Sequence, residues 1–115
     1  MKLVSLAEFS HATFVDLLHS RFQVQADAAA PVEIELVEAV AHSGRAPARS
    51  LAESFSLVFA GPRQPFLPQR TYRLAHERLG TFDLFIVPIG EDQTGFRYEA
   101  VFNRSARPGA AEGTL

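Results

Sequence analysis

The chain has no cysteine. That absence excludes a disulfide scaffold, Cys-ligated zinc, iron–sulfur clusters and thiol catalysis. It has no long apolar run either. The longest, Leu84 to Ile89, is strand-sized, far short of the ~18 residues of a membrane-spanning helix. Glu8 interrupts the apolar stretch that follows Lys2, where a secretory leader needs an unbroken one. The expectation is a soluble, cytoplasmic protein with no membrane partner. A positive excess is also missing. The formal net charge is −2, which removes the electrostatic case for nucleic acid. Lysine is nearly absent: of eleven basic residues, ten are arginines and only Lys2 is a lysine. Seventeen alanines accompany them, and this joint skew reads as codon bias. There is no Gly-x-Ser-x-Gly elbow, no glycine-rich phosphate loop and no His-Glu-x-x-His element, so nucleophilic, nucleotide and zinc-hydrolase chemistry lack a motif. No cofactor is implied.

What is present is enough for one domain. With 115 residues, 47% of them hydrophobic and ten of them Phe, the chain buries a core without staples. Ser5 to Glu8 has the form of a capping box. Leu6, Phe9, Thr13 and Leu17 follow at helical spacing, which predicts one helix over about 6–19, with a break near His11–Thr13 where β-branched residues weaken it. Arg21 to Ala26 is a short strand. Val32, Ile34 and Leu36 alternate with Glu33 and Glu35, the period of a half-buried antiparallel strand, and the pattern slips at Val37-Glu38, where a bulge is expected. Residues 42–52 form a loop. Phe55, Leu57 and Phe59 then alternate with Ser56 and Val58, so both Ser54 and Ser56 are expected to face outward.

Two further hairpins follow. Tyr72, Leu74 and His76 share one face, as do Phe82, Leu84 and Ile86. A three-residue loop Arg78-Leu79-Gly80 sets Leu74 opposite Leu84 and Tyr72 opposite Ile86. Phe96, Tyr98, Ala100 and Phe102 alternate with Arg97, Glu99 and Val101, and Ile86 is set opposite Ala100. The other face of the Phe82–Ile89 strand carries Phe85, Val87 and Ile89, so the strand is expected to be covered twice, with the N-terminal helix as second cover. Pro88 ends one of its two pairings at about Val87. Together these elements predict a mainly β (α+β) domain over 1–103. About six antiparallel strands form a curled sheet or small barrel with the helix packed on it, and 104–115 forms a disordered tail.

The strings Tyr72-Arg73-Leu74-Ala75-His76, Leu79-Gly80-Thr81-Phe82-Asp83-Leu84-Phe85-Ile86-Val87-Pro88 and Tyr98-Glu99-Ala100-Val101-Phe102-Asn103 resemble a family of small bacterial proteins known only as a domain of unknown function. The resemblance implies no activity, no cofactor and no catalytic residues. It hints at an assembly role beside phage-tail-like or tail-fibre-like structures.

Candidate site residues are few. His11 and His19 lie eight positions apart, about 80° around a helix, too far to share a metal. His76 is the one histidine in a strand pattern. It is expected as a hydrogen-bonded residue at the core's edge, with a polar site there as the sharper reading. No metal site is expected. Glu33 and Glu35 on one strand face are partners for arginine, and Asp83 and Glu99 likewise for Arg73 and Arg97. Phe66 and Leu67 sit in the Pro-rich segment Gly61 to Gln69, either as a lid on the core or as an exposed anchor. Arg73, expected opposite Phe85 with Arg97 on the same side, builds a stacked cation–aromatic surface. Phe66, Leu67, Arg73, Phe85 and Arg97 are therefore the candidate interaction surface. The expected function is a non-catalytic interaction or assembly module whose partner is another protein or a second copy. The alternative is a small β-barrel binding an apolar molecule among Phe55, Phe82, Phe96 and Phe102.

Overall fold

Six antiparallel strands close into a barrel in the computed structural model, which describes residues 3–25, 30–42 and 54–103. They are β1 (Arg21–Gln25), β2 (Val32–Ala41), β3 (Ser54–Gly61), β4 (Arg70–His76), β5 (Gly80–Asp92) and β6 (Gly95–Asn103). The order around the barrel is β1-β2-β3-β6-β5-β4, and β1 pairs with β4 to close it. The sequence alternation explains the inside. Phe22, Val24, Ile34, Leu36, Phe55, Leu57, Phe59, Leu74, Phe82, Ile86, Tyr98 and Phe102 all point into a continuous core, as period-2 strands closed on themselves require. The expected bulge is present: Leu36 pairs with Phe59 and Glu38 with Val58, which leaves Val37 extra. Among the described residues no helix is long and apolar enough to cross a membrane.

The N-terminal helix is shorter than its spacing predicts. A 3-10 turn spans Leu6–Glu8, and an α-helix, α1, spans His11–Val15. Ser5 accepts a hydrogen bond from Ala7 N–H rather than closing a box with Glu8. The reciprocal box belongs to Ser10 and Thr13, whose hydroxyls each take the other's backbone N–H. Ser10 thus ends the first turn and starts the second, because a capping serine holds its own backbone extended. The result is a plug. Phe9 meets Phe82 edge-on at 5.3 Å, and Phe14 lies 5.7 Å from Phe102 and 6.0 Å from Phe55. The helical segment therefore closes one end of the barrel. It does not cover the outer face of β5, where Phe85 and Ile89 are about half exposed. Phe9, Phe14 and Leu17 are all buried in that mouth.

The β4–β5 register also differs from expectation. Leu74 faces Phe82 and Tyr72 faces Leu84, two residues away from the expected partners. The loop is Glu77-Arg78-Leu79, one position earlier, and Gly80 is the first strand residue, with φ +88° as a left-handed glycine. His76 selects this loop: its Nδ1 accepts the Arg78 N–H at 3.0 Å, and Leu79 packs on the core. Moving a hairpin loop by one residue moves the register by two, so every side chain keeps its face. The β5–β6 ladder keeps its expected offset as far as Pro88, with Val87 opposite Glu99 and Pro88 opposite Tyr98, then slips by one residue to Gly90 opposite Arg97, so that Glu91, Asp92 and Gly95, expected in the loop, are paired strand residues. The β4 ladder stops at Ile86, so Pro88 removes no bond from it. Residues 104–115, expected as a tail, and most of the expected loop 42–52 lie outside the described residues.

Candidate functional site

Phe66 and Leu67 part company. Leu67 is 2% exposed and its N–H donates to the buried Tyr98 hydroxyl at 3.0 Å. It lids the barrel end opposite α1. Phe66 is 46% exposed and rests edge-on against Phe96 at 4.8 Å. Arg73 does not stack on Phe85. The two-residue register difference puts Asp83 opposite Arg73, and Arg73 Nε donates to Asp83 Oδ1 at 3.1 Å. Thr71 is the residue opposite Phe85. The observed cation–aromatic contact is Arg70 over Tyr72, 4.7 Å from the ring centre. Arg97 is held by Asp92 at 2.9 Å within the β5–β6 turn. The Thr94 hydroxyl and N–H, then Arg97, hold the Asp92 carboxyl down to about 2. Both arginines expected on the surface are thus tied to carboxylates, and Phe85 stands on the barrel wall without them.

His76 is buried beside an open depression lined by Ser20, Arg21, Gln23, Ala75 and Glu77. Its ring lies 4.5 Å from Phe22. Because Nδ1 accepts from Arg78 N–H, Nε2 carries the proton and donates to Ser20 Oγ at 2.9 Å, and the Ser20 hydroxyl donates to Leu17 C=O at 2.6 Å. A serine nucleophile needs the reverse polarity, with Nε2 accepting the hydroxyl proton. This chain of bonds joins α1's exit to the β4–β5 turn and is structural. Burial pushes the His76 pKa below its ordinary value. The folded state therefore prefers the neutral ring, and the linkage has a definite sign. The stabilisation is complete above the unfolded-state pKa of about 6.5 and is lost as pH falls through the lowered folded value. We expect urea midpoints to fall on acidification from neutral pH, and His76→Gln to flatten that dependence. An unchanged slope in the variant would remove His76 from the account.

A second serine–histidine contact lies outside the barrel. Ser56, expected to face outward, lies on the outward face but is buried there, and His42 Nε2 lies 2.6 Å from its Oγ. β3 pairs with β2 on one edge and β6 on the other around Ser56, so backbone N–H groups there are committed to the ladders. None is left to stabilise an oxyanion. His11 Nε2 meets Ala39 C=O at 3.0 Å, and His19 Nδ1 lies 3.2 Å from Glu35. Among the described residues, no three His, Asp or Glu side chains gather where a metal ion would sit.

The outer wall carries the arrangement that the sequence reading did not assemble. Two rows cross the strands. In one, Val40 on β2 faces Ser56 on β3, and Ser56 faces Val101 on β6. In the other, Glu38 faces Val58, Val58 faces Glu99, and Glu99 faces Val87 on β5. Phe85 stands two residues along β5 from Val87, beside the first row. Val40, Phe85 and Val101 are each close to half exposed. Outward valines at alternating positions were the available signal, but which strands adjoin was not. The inner rings, by contrast, fill the space between one another: Phe55 stacks on Phe102 at 4.5 Å, and Phe22 meets Phe59 edge-on at 5.3 Å.

Compared with known families, residues 9–102 match the model of a domain of unknown function. No curated protein and no solved structure matches the chain.

Proposed function

The chain belongs to the DUF6916 family, and from the barrel's outer wall we propose that it is a non-catalytic protein-interaction or assembly module. The observation that carries this reading is a set of outward apolar side chains, Val40, Val58, Val87, Val101 and Phe85, spread over four neighbouring strands among Ser56, Glu38 and Glu99. Its rows extend about 14 Å across the strands, three spacings of about 4.8 Å. Apolar side chains scattered singly over a surface need no explanation, but several gathered on neighbouring strands of one wall offer a contact surface. The core inside the barrel is complete without them, so they contribute little to folding. The reading of an internal apolar ligand draws less support, because the rings that would line its cavity pack on each other. The link to phage-tail-like structures rests on sequence resemblance alone, and the interaction reading does not depend on it.

The test is association. Phe85→Ser and Val101→Ser are expected to leave stability within about 1 kcal/mol of the parent, as exposed positions do. They are also expected to abolish any self-association or defined partner binding measured by light scattering with size exclusion. If the complex forms equally well in both variants, its contact surface lies elsewhere and the assignment of this wall is wrong.

A further inference from the structure

We propose that this wall binds an amphipathic helix that carries two cationic side chains, laid across the strands along the Glu38–Val58–Glu99–Val87 row. The inference rests on the interaction reading above and names the chemistry of its partner. Its starting point is an asymmetry among the carboxylates on the strands. Glu33, Asp83, Glu91 and Asp92 are each paired with an arginine, and Glu35 with His19. Among the described residues, Glu38 and Glu99 have no cation partner. These two flank the same residue, Val58, from neighbouring strands. Val87 continues the row, and Phe85, Val101 and Val40 border it. A row in which two uncompensated carboxylates bracket Val58 is complementary to apolar side chains bracketed by cations.

Geometry selects a helix. β3 is hydrogen-bonded along both edges here, so an added strand finds no free backbone and recognition runs through side chains. Glu38 and Glu99 are two strand spacings apart, about 10 Å. Positions i and i+7 of a helix are separated by about the same distance. Cations at i and i+7 then meet Glu38 and Glu99, and residues i+3 and i+4 meet Val58. A second copy of this chain on the same face is disfavoured, because a two-fold contact brings Glu38 and Glu99 of both copies together and like charges oppose it.

The probe is a fluorescein-labelled, alanine-based helical peptide with Arg at i and i+7 and Leu at i+3, i+4 and i+10, titrated with the full chain by anisotropy. A matched peptide has Gln in place of both Arg. The expected result is saturable binding of the Arg peptide that weakens with added salt, and binding at least about tenfold weaker for the Gln peptide. A similar loss is expected for the Glu38→Gln/Glu99→Gln variant with the Arg peptide. Circular dichroism and melting of that variant show whether it is folded. Equal binding of both peptides, or undiminished binding of the Arg peptide by the variant, overturns the basic-helix inference. If Phe85→Ser abolishes that binding, the interaction reading survives. A dimer that Phe85→Ser dissociates also overturns the inference in favour of a second copy. If the Arg peptide does not bind and Phe85→Ser changes no association, both the inference and the assignment of this wall fail.

Discussion

Gly95→Ala is expected to cost about 3–5 kcal/mol, enough to unfold a substantial fraction of a domain whose total stability is of order 5–15 kcal/mol. Gly95 opens β6 with φ +152°, a conformation that side chains rarely adopt. A Cβ built there would lie 2.0 Å from the Gly61 carbonyl oxygen and 3.0 Å from the Pro62 carbonyl carbon. Neither can withdraw. Gly61 pairs with Phe96 in the β3–β6 ladder. Arg63 clamps the same stretch to the facing turn, donating to Glu91 at 2.8 Å and to Gln93 C=O at 2.8 Å. The Asp92 carboxylate, which accepts the Gly95 N–H, fixes the other side. Thermal melting is expected to fall by roughly 12–40 °C, taking about 4–8 °C per kcal/mol for a domain near this size. Gly90→Ala is the internal control, since nothing lies within 4 Å of its added Cβ, and it is expected to melt within a few degrees of the parent. A Gly95→Ala loss below about 1 kcal/mol would show that the Gly61–Arg63 backbone yields, against this account.

Phe14→Ala is expected to remove about 3–5 kcal/mol, as truncation of a fully buried ring does. Phe14 is the fully buried side chain of α1 and contacts Phe9, Phe55 and Phe102. A five-residue helix has almost no stability of its own. Its place in the fold depends on this ring, so the loss should open the barrel mouth as well as create a cavity. Equilibrium urea unfolding would report the energy, and binding of a hydrophobic dye to the folded variant would report the opening. Val15→Ala, at a half-exposed neighbour on the same helix, is expected to change stability by no more than about 0.5 kcal/mol. Equal effects of the two substitutions would mean that α1 is not held by its ring.

Some of the surface was legible before the fold was known, and the reason lies in period. The inward residues of every strand, the bulge at Val37, the left-handed Gly80 and the β5–β6 offset at Val87 and Pro88 follow from alternation and turn chemistry within a few residues of chain. The β4–β5 register did not. Both candidate loops preserve the alternation, and the choice between them was made by the hydrogen bond from Arg78 N–H to His76 Nδ1. That one difference moved Asp83 opposite Arg73 and turned an expected cation–aromatic surface into an ion pair. Leu67 and Phe66 were likewise indistinguishable in sequence. The Tyr98 hydroxyl, brought from β6, separates the buried one from the exposed one.

The sequence by itself determined which side of each strand is apolar, because alternation is a property of a single extended backbone and needs no partner. It also determined that β5 carries apolar residues on both sides. Only the tertiary structure decided what those outward residues become. The β3–β6 and β1–β4 pairings join segments far apart in the chain, and their selection depends on the core that all six strands bury together. That closure sets Val58 between Glu38 and Glu99 and carries Glu99 to the side of Val87. It also spends the α1 segment on the barrel's open mouth, which leaves the outer wall of β5 in contact with solvent. The covering that the two-faced strand demanded was thus supplied on its inner side by the barrel, and its outer side is the surface assigned here to a partner.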